Sequence, residues 1–180
     1  MNSKEKLYKA AVELISQQGY EKTTVQEIAA KAGVTERTFF RQFKDKSDML
    51  FDGSESWQHK ILAEMELSNL TNPVEKVVRA CQKTSAIFDD RHEHSALRHE
   101  IIQKNPDLRE RELLKMANLT AAITENLKQN YPTEIAELAA RISVPIFSQA
   151  FQEWVQSAEL RNLADILDEV FERYNKIHQI

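Results

Sequence analysis

Residues 23–46 read "TTVQEIAAKAGVTERTFFRQFKDK", and the order of residue types in this stretch decides how the chain folds. Thr24 stands three residues before Glu27, the spacing of a capping box. In that motif the hydroxyl accepts from the backbone of the third helical residue while the carboxylate reaches back to the cap. A short helix therefore starts at this point, carries Ile28 and Ala29 inward and stops at Gly33. Thr35 caps a second short helix that carries Phe39 and Phe43 inward. Joined at Ala32-Gly33-Val34 and packed on a preceding amphipathic helix, the pair makes a helix-turn-helix unit. Thr35, Glu36, Arg37, Thr38, Phe40 and Arg41 are left facing outward or partly so. That set suits a major groove: arginine for guanine edges, threonine for phosphates or thymine methyls, and Lys44 and Lys46 for the adjoining backbone.

The rest of the chain reads as all-α. Three glycines and four prolines in 180 residues are too few for the tight turns of a β-sandwich or hairpin array. Stripes recur at helical spacing: Leu7, Ala11, Leu14 and Ile15; then Leu50, Ser54, Trp57, Ile61 and Met65; then Val74, Val77, Val78, Cys81 and Phe88; and last Leu163, Leu167, Val170, Phe171 and Tyr174. The pattern predicts about nine helices. Gly19 can close the first by taking a positive φ. Asn72-Pro73 and Asn105-Pro106 each offer a capping side chain followed by proline at the first helical position. Pro132-Thr133 opens a further helix. Pro145 lies within the apolar pattern of "RISVPIFSQAF" and predicts a kink, because it removes the bond to the carbonyl of Arg141. We expect two parts, a helix-turn-helix domain over 1–46 and a helical ligand-binding and dimerisation domain over 47–180.

Charge supports the division. Residues 1–46 hold nine Lys and Arg against six acids, a balance of +3, and the remainder holds fifteen against twenty-two, a balance of -7. A basic head can meet phosphates; an acidic body cannot. No apolar run reaches the roughly 20 residues that span a bilayer, and "MNSKEKLYKA" has no apolar segment of signal-peptide type, so a cytoplasmic location is expected. A lone cysteine, Cys81, suits a reducing compartment.

From "AAVELISQQGY" through "EKTTVQEIAAKAGVTERTFFRQFKDKSDML" the chain resembles the TetR family of bacterial transcriptional regulators. The resemblance implies a repressor, usually homodimeric. Its head would lie on a double-stranded DNA operator, and its helical body would bind a small-molecule inducer and dimerise through the last two long helices. Carried over by position, it implies that Thr24 holds phosphate, that Thr35, Glu36, Arg37 and Thr38 face bases, and that Lys46 holds phosphate at the start of the fourth helix. Phe40 departs from the pattern, because family members commonly carry a tyrosine there and phenylalanine has no hydroxyl for a phosphate.

The segment "LRHEIIQKNPDLRERELLKMANLTAAITENL" is similar to the body of a group within that family described as binding acyl-CoA-like ligands. Such a ligand needs an apolar tunnel and a cationic mouth. Trp57, Ile61, Met65, Cys81, Phe88, Met116, Phe147 and Trp154 are of the right type for walls, and Arg98 and Arg111 for charge. The same residues are also ordinary core formers. In "DDRHEHSALRHE" the spacing of His92, His94 and His99 does not bring three ligands to one face, so no metal is expected, and no cofactor. There is no phosphate-cradling glycine loop, serine elbow or placed carboxylate pair, so no enzyme is expected. The alternative is an all-helical protein-interaction module that does not bind DNA. For assembly, residues 134–157 and 160–177 carry Phe147, Phe151, Trp154, Ile166, Phe171 and Ile177, more apolar surface than one body can cover. A charge at Ile166 or Val170 should then split a homodimer.

Overall fold

The computed structural model describes residues 2–89, 91–157 and 161–177. Among them are eleven helices and no strand. They are α1 (Ser3–Gln18), α2 (Val25–Lys31), α3 (Glu36–Gln42), α4 (Asp48–Phe51), α5 (Ser54–Glu66), α6 (Pro73–Thr84), α7 (Ala86–Asp89), α8 (His92–Lys104), α9 (Pro106–Leu127), α10 (Thr133–Gln156) and α11 (Leu163–Ile177). Nine have seven residues or more, and α4 and α7 are single turns of four.

Local chemistry accounts for the boundaries. Asn2 caps α1 by accepting from Glu5 N at 2.9 Å. Gly19 ends the helix at φ 88°, its N–H donating to Ile15 O at 2.8 Å. Asn72 Oδ1 accepts from Val74 N at 2.9 Å and from Glu75 N at 3.1 Å, with Pro73 at the first position of α6. One expectation needs correction. The stripe from Leu50 to Met65 is not one helix, because Gly53 takes φ 83° and separates α4 from α5. Asn105 turns its side-chain amide back to donate to Ile101 O at 2.6 Å, so it seals the end of α8 in addition to preceding Pro106.

The chain divides into two compact units, and the division differs from a cut after residue 46. The first takes in the residues up to Gly53 together with Leu97–Arg109; the second holds Ser54–Ala96 and the chain from Glu110 onward. In the first, α1, α2 and α3 pack round Leu7, Ala11, Ile15, Ile28, Phe39 and Phe43. Ile101, Ile102 and Leu108 complete this core, which is why Leu97–Arg109 belongs with the head although the sequence pattern assigned it to the body.

In the second unit α6 packs on α5, α10 and α11, and α10 on α11. Alanines at 136, 139 and 140 are buried on α10, and their short side chains let neighbouring helices approach closely. Pro145 lies inside α10, which runs on through it. Pro145 and Arg141 are both on the exposed side, where water can reach a carbonyl left without its helical partner. Trp154, Ile166, Leu167, Val170 and Phe171 are buried within the unit's own core. Of the residues expected to form a surplus apolar face, Phe147, Trp154, Ile166 and Phe171 are covered by the chain itself, whereas Ile177 is 68% exposed. Residue 160, the start of the expected last stretch, lies outside the described residues. No helix among the described residues is long and apolar enough to cross a membrane.

Candidate nucleic-acid interface

The turn between α2 and α3 depends on Gly33, at φ 69°. Its N–H donates to Ala30 O at 3.1 Å, and Val34 N then donates to Ala29 O at 3.0 Å, which aims the chain into α3. Thr35 Oγ1 accepts from Thr38 N at 3.2 Å and lies 3.1 Å from Thr38 Oγ1, so the two hydroxyls hold each other at the helix start. Phe39 is fully buried and stacks at an angle on Phe43, with ring centroids 5.4 Å apart. Anchored on that side, α3 presents Thr35, Glu36, Arg37 and Arg41 exposed, Thr38 half-buried, and Phe40 54% exposed. Phe40 meets Phe39 edge-on at 5.4 Å, leaving its outer face open. Lys44 is exposed just past the helix. This is a short cationic and polar row on a rigid support, of a size that enters a major groove.

Two residues expected at phosphate have other partners. Thr24 is exposed, but its hydroxyl donates to Glu27 Oε2 at 2.9 Å and accepts from Glu27 N at 3.2 Å, so its proton is already spent within the capping box. Glu27 also accepts from Thr24 N at 2.8 Å and from Gln18 Nε2 at 3.2 Å. These bonds, that from the Thr24 backbone first, hold its carboxyl below the usual range. Lys46 is half-buried and turned inward, its ammonium donating to Tyr20 O and, at 2.8 Å, to Thr23 O. Lys46, which the resemblance places at a phosphate, is engaged with those two carbonyls. Asp45 Oδ1 accepts from Asp48 N, at the first residue of α4, at 2.6 Å.

The residues expected to bind a ligand divide as the units do. Trp57, Ile61, Met65, Cys81 and Phe147 are buried in the second unit's core, and Phe88 and Met116 pack half-buried against it. Trp57 lies 4.5 Å from Phe147 and 5.5 Å from Phe88, ring centroid to centroid. Its indole N–H donates to Thr84 Oγ1 at 3.2 Å. Burial pushes the Cys81 thiol up to about 12. Arg98 is not with them. It lies in the first unit, where it donates to Leu50 O at 2.5 Å and covers the Phe51 ring at 5.1 Å. Phe151, expected on a partner surface, joins the aromatic cluster instead, 5.7 Å from both Phe88 and Trp154. Its position four residues after Phe147 was the available signal. His92 is also part of this unit, its Nε2 2.8 Å from Trp154 O.

Comparison with known proteins agrees with this geometry. The chain is similar to the fatty acid metabolism regulator protein of Bacillus subtilis, 26% identical over 172 residues that cover 91% of this chain and 89% of that one. Its fold matches the crystal structure of Thermus thermophilus FadR, a TetR family transcriptional repressor in complex with lauroyl-CoA. That match has a TM-score of 0.57 and 23% identity over 94% of this chain and 91% of the other. It also matches the fatty acid degradation regulator FadR of Bacillus halodurans, with a TM-score of 0.63 and 22% identity over 96% and 94%. Residues 7–52 match bacterial regulatory proteins of the tetR family, and residues 71–178, more than half of the chain, match the MftR C-terminal domain. The protein therefore belongs to the TetR family of ligand-responsive transcriptional regulators.

Proposed function

We propose that this regulator is a homodimeric repressor whose α3 helices enter successive major grooves of a palindromic operator, and whose second unit binds an acyl-CoA-like inducer that lowers operator affinity. The observation that carries the DNA reading is the exposed row on α3, held by the buried Phe39. Arg37 and Glu36 address base edges with Thr35 and Thr38 beside them. Arg41 and Lys44 meet the backbone, and Phe40 adds an apolar contact. Such a protein works where the DNA is, in the cytoplasm.

The ligand class rests on the relatives. A fatty acid metabolism regulator and a FadR bound to lauroyl-CoA are similar to this chain over nearly its whole length. The aromatic and methionine side chains round Trp57 and Phe147 supply apolar surface that an acyl chain could displace. For the dimer, the outward side of α10 carries Ile135 and Leu138, 46% and 57% exposed, with Ile142 half-buried in line with them. These replace Ile166 and Val170 as the seam. Linkage then requires DNA to weaken inducer binding by the factor by which inducer weakens DNA binding.

The test is a fluorescence titration of genomic fragments selected by the protein, with and without acyl-CoA compounds of several chain lengths. Inducer should release the DNA and raise the melting temperature, because it stabilises the native state it binds. If every chain length leaves both quantities unchanged, the acyl-CoA class is wrong.

A further inference from the structure

We propose that Lys46 is a positioning residue that locks the α1–α2 loop and does not grip DNA. The inference rests on the reading that α3 faces DNA, and asks how that helix pair is held at one orientation. Lys46 lies four residues past the end of α3, yet its ammonium reaches back across the head to the loop that precedes α2. Two of its protons go to Tyr20 O and to Thr23 O at 2.8 Å, and its charge lies 4.0 Å from the centre of the Tyr20 ring, on the face that attracts a cation.

The loop closes round this charge. Thr23 N donates to Tyr20 O at 3.3 Å, and Thr23 Oγ1 donates to Gly19 O at 2.8 Å. Thr23 is buried, and the next residue, Thr24, is the cap of α2. Glu27 ties that cap from the other side through Thr24 N and Gln18 Nε2. Partial burial pulls the Lys46 ammonium below the usual lysine range, with Glu21 and Glu27 opposing the fall. Only the third proton is left for a phosphate, and turning the ammonium fully toward DNA would break both carbonyl bonds. Lys44, exposed two positions earlier, makes the phosphate contact at no such cost.

Compare Lys46→Met and Lys44→Ala in the intact chain, on operator and random duplex across a salt series. Lys44→Ala should reduce the slope of log affinity against log salt by about one unit per subunit. Lys46→Met should keep the parent slope while both affinities fall by on the order of tenfold, about 1.4 kcal/mol. In DNA-free protein Lys46→Met, unlike Lys44→Ala, should speed amide exchange at residues 23–27. A slope loss in Lys46→Met equal to that of Lys44→Ala overturns the proposal. Should Lys46→Met fail to fold, the ammonium nitrogen resonance of Lys46 in the parent decides. Coupling to the Tyr20 and Thr23 carbonyls that survives in the DNA complex supports the lock, and transfer to phosphate overturns it. If the parent binds no duplex, the DNA reading fails, while amide exchange still tests the lock.

Discussion

An aspartate at residue 166 should destabilise the second unit, whereas one at residue 138 should separate two folded chains. Ile166 is 2% exposed, and its neighbour Leu167 is fully buried. Replacing Ile166 forfeits about 1.5–3 kcal/mol of apolar burial. It also puts a carboxylate among apolar side chains of α6 and α10, at a cost of several kcal/mol or of protonation. Together the loss is on the order of 5 kcal/mol, set against a net stability of about 5–15 kcal/mol for a whole domain. At roughly 2–4 °C per kcal/mol, the melting temperature should fall by about 10–20 °C. Leu138 is 57% exposed on α10, so Leu138→Asp removes little burial within the chain but places a charge on the proposed seam. Circular dichroism melts and sedimentation velocity at micromolar concentration separate the two effects. A folded, monomeric Ile166→Asp with the parent's melting temperature would refute the reasoning, since it would place that side chain on a partner surface.

Two further outcomes follow from ionisable groups. Glu27's carboxyl is held low by its bonds from Thr24 and Gln18, so it stabilises the head above the ordinary carboxylate range and loses that contribution as pH falls through its lowered value. Glu27→Gln should therefore flatten the acid limb of the head's stability profile, followed by amide exchange at residues 23–27; an unchanged limb contradicts the assigned bonds. Cys81, buried and pushed up to about 12, should react with a thiol reagent only as fast as the second unit opens, and rapid labelling of native protein would show the site to be open.

What could be read beforehand was what the chain encodes locally. The Thr24–Glu27 box, the Thr35 cap and the glycine turn each depend on residues within a few positions, and all are formed as their spacing requires. The outward set on α3 followed from a single periodic constraint, that Phe39 and Phe43 face in. The failures concern long-range partners. Lys46 and Tyr20 are 26 positions apart, and nothing near either residue marks their pairing. Ile101 and Ile102 have the same helical spacing whether they pack on the body or, as here, on the head. Ile166 shows the same limit: periodicity marks the buried face of α11 but does not say whether α10 of the same chain or a partner buries it. Gly53 was a missed local signal, since a glycine within an apolar stripe can end a helix as well as sit inside one.

The central claim is that α3 reads base sequence through its exposed face, and Arg37→Ala on two duplexes tests it most directly. Arg37 is exposed near the start of α3, beside Glu36. A guanidinium there can span the two acceptors of a guanine, worth about 1–3 kcal/mol of discrimination. Affinity of the parent and of Arg37→Ala should be measured on the selected operator and on a random duplex across a salt series. The account predicts that Arg37→Ala loses about 5- to 150-fold on the operator, that interval of energy expressed as a ratio, and much less on the random duplex, with preference flattened at one base pair of each half-site. Equal losses on the two duplexes would contradict it, because Arg37 would then contribute only charge.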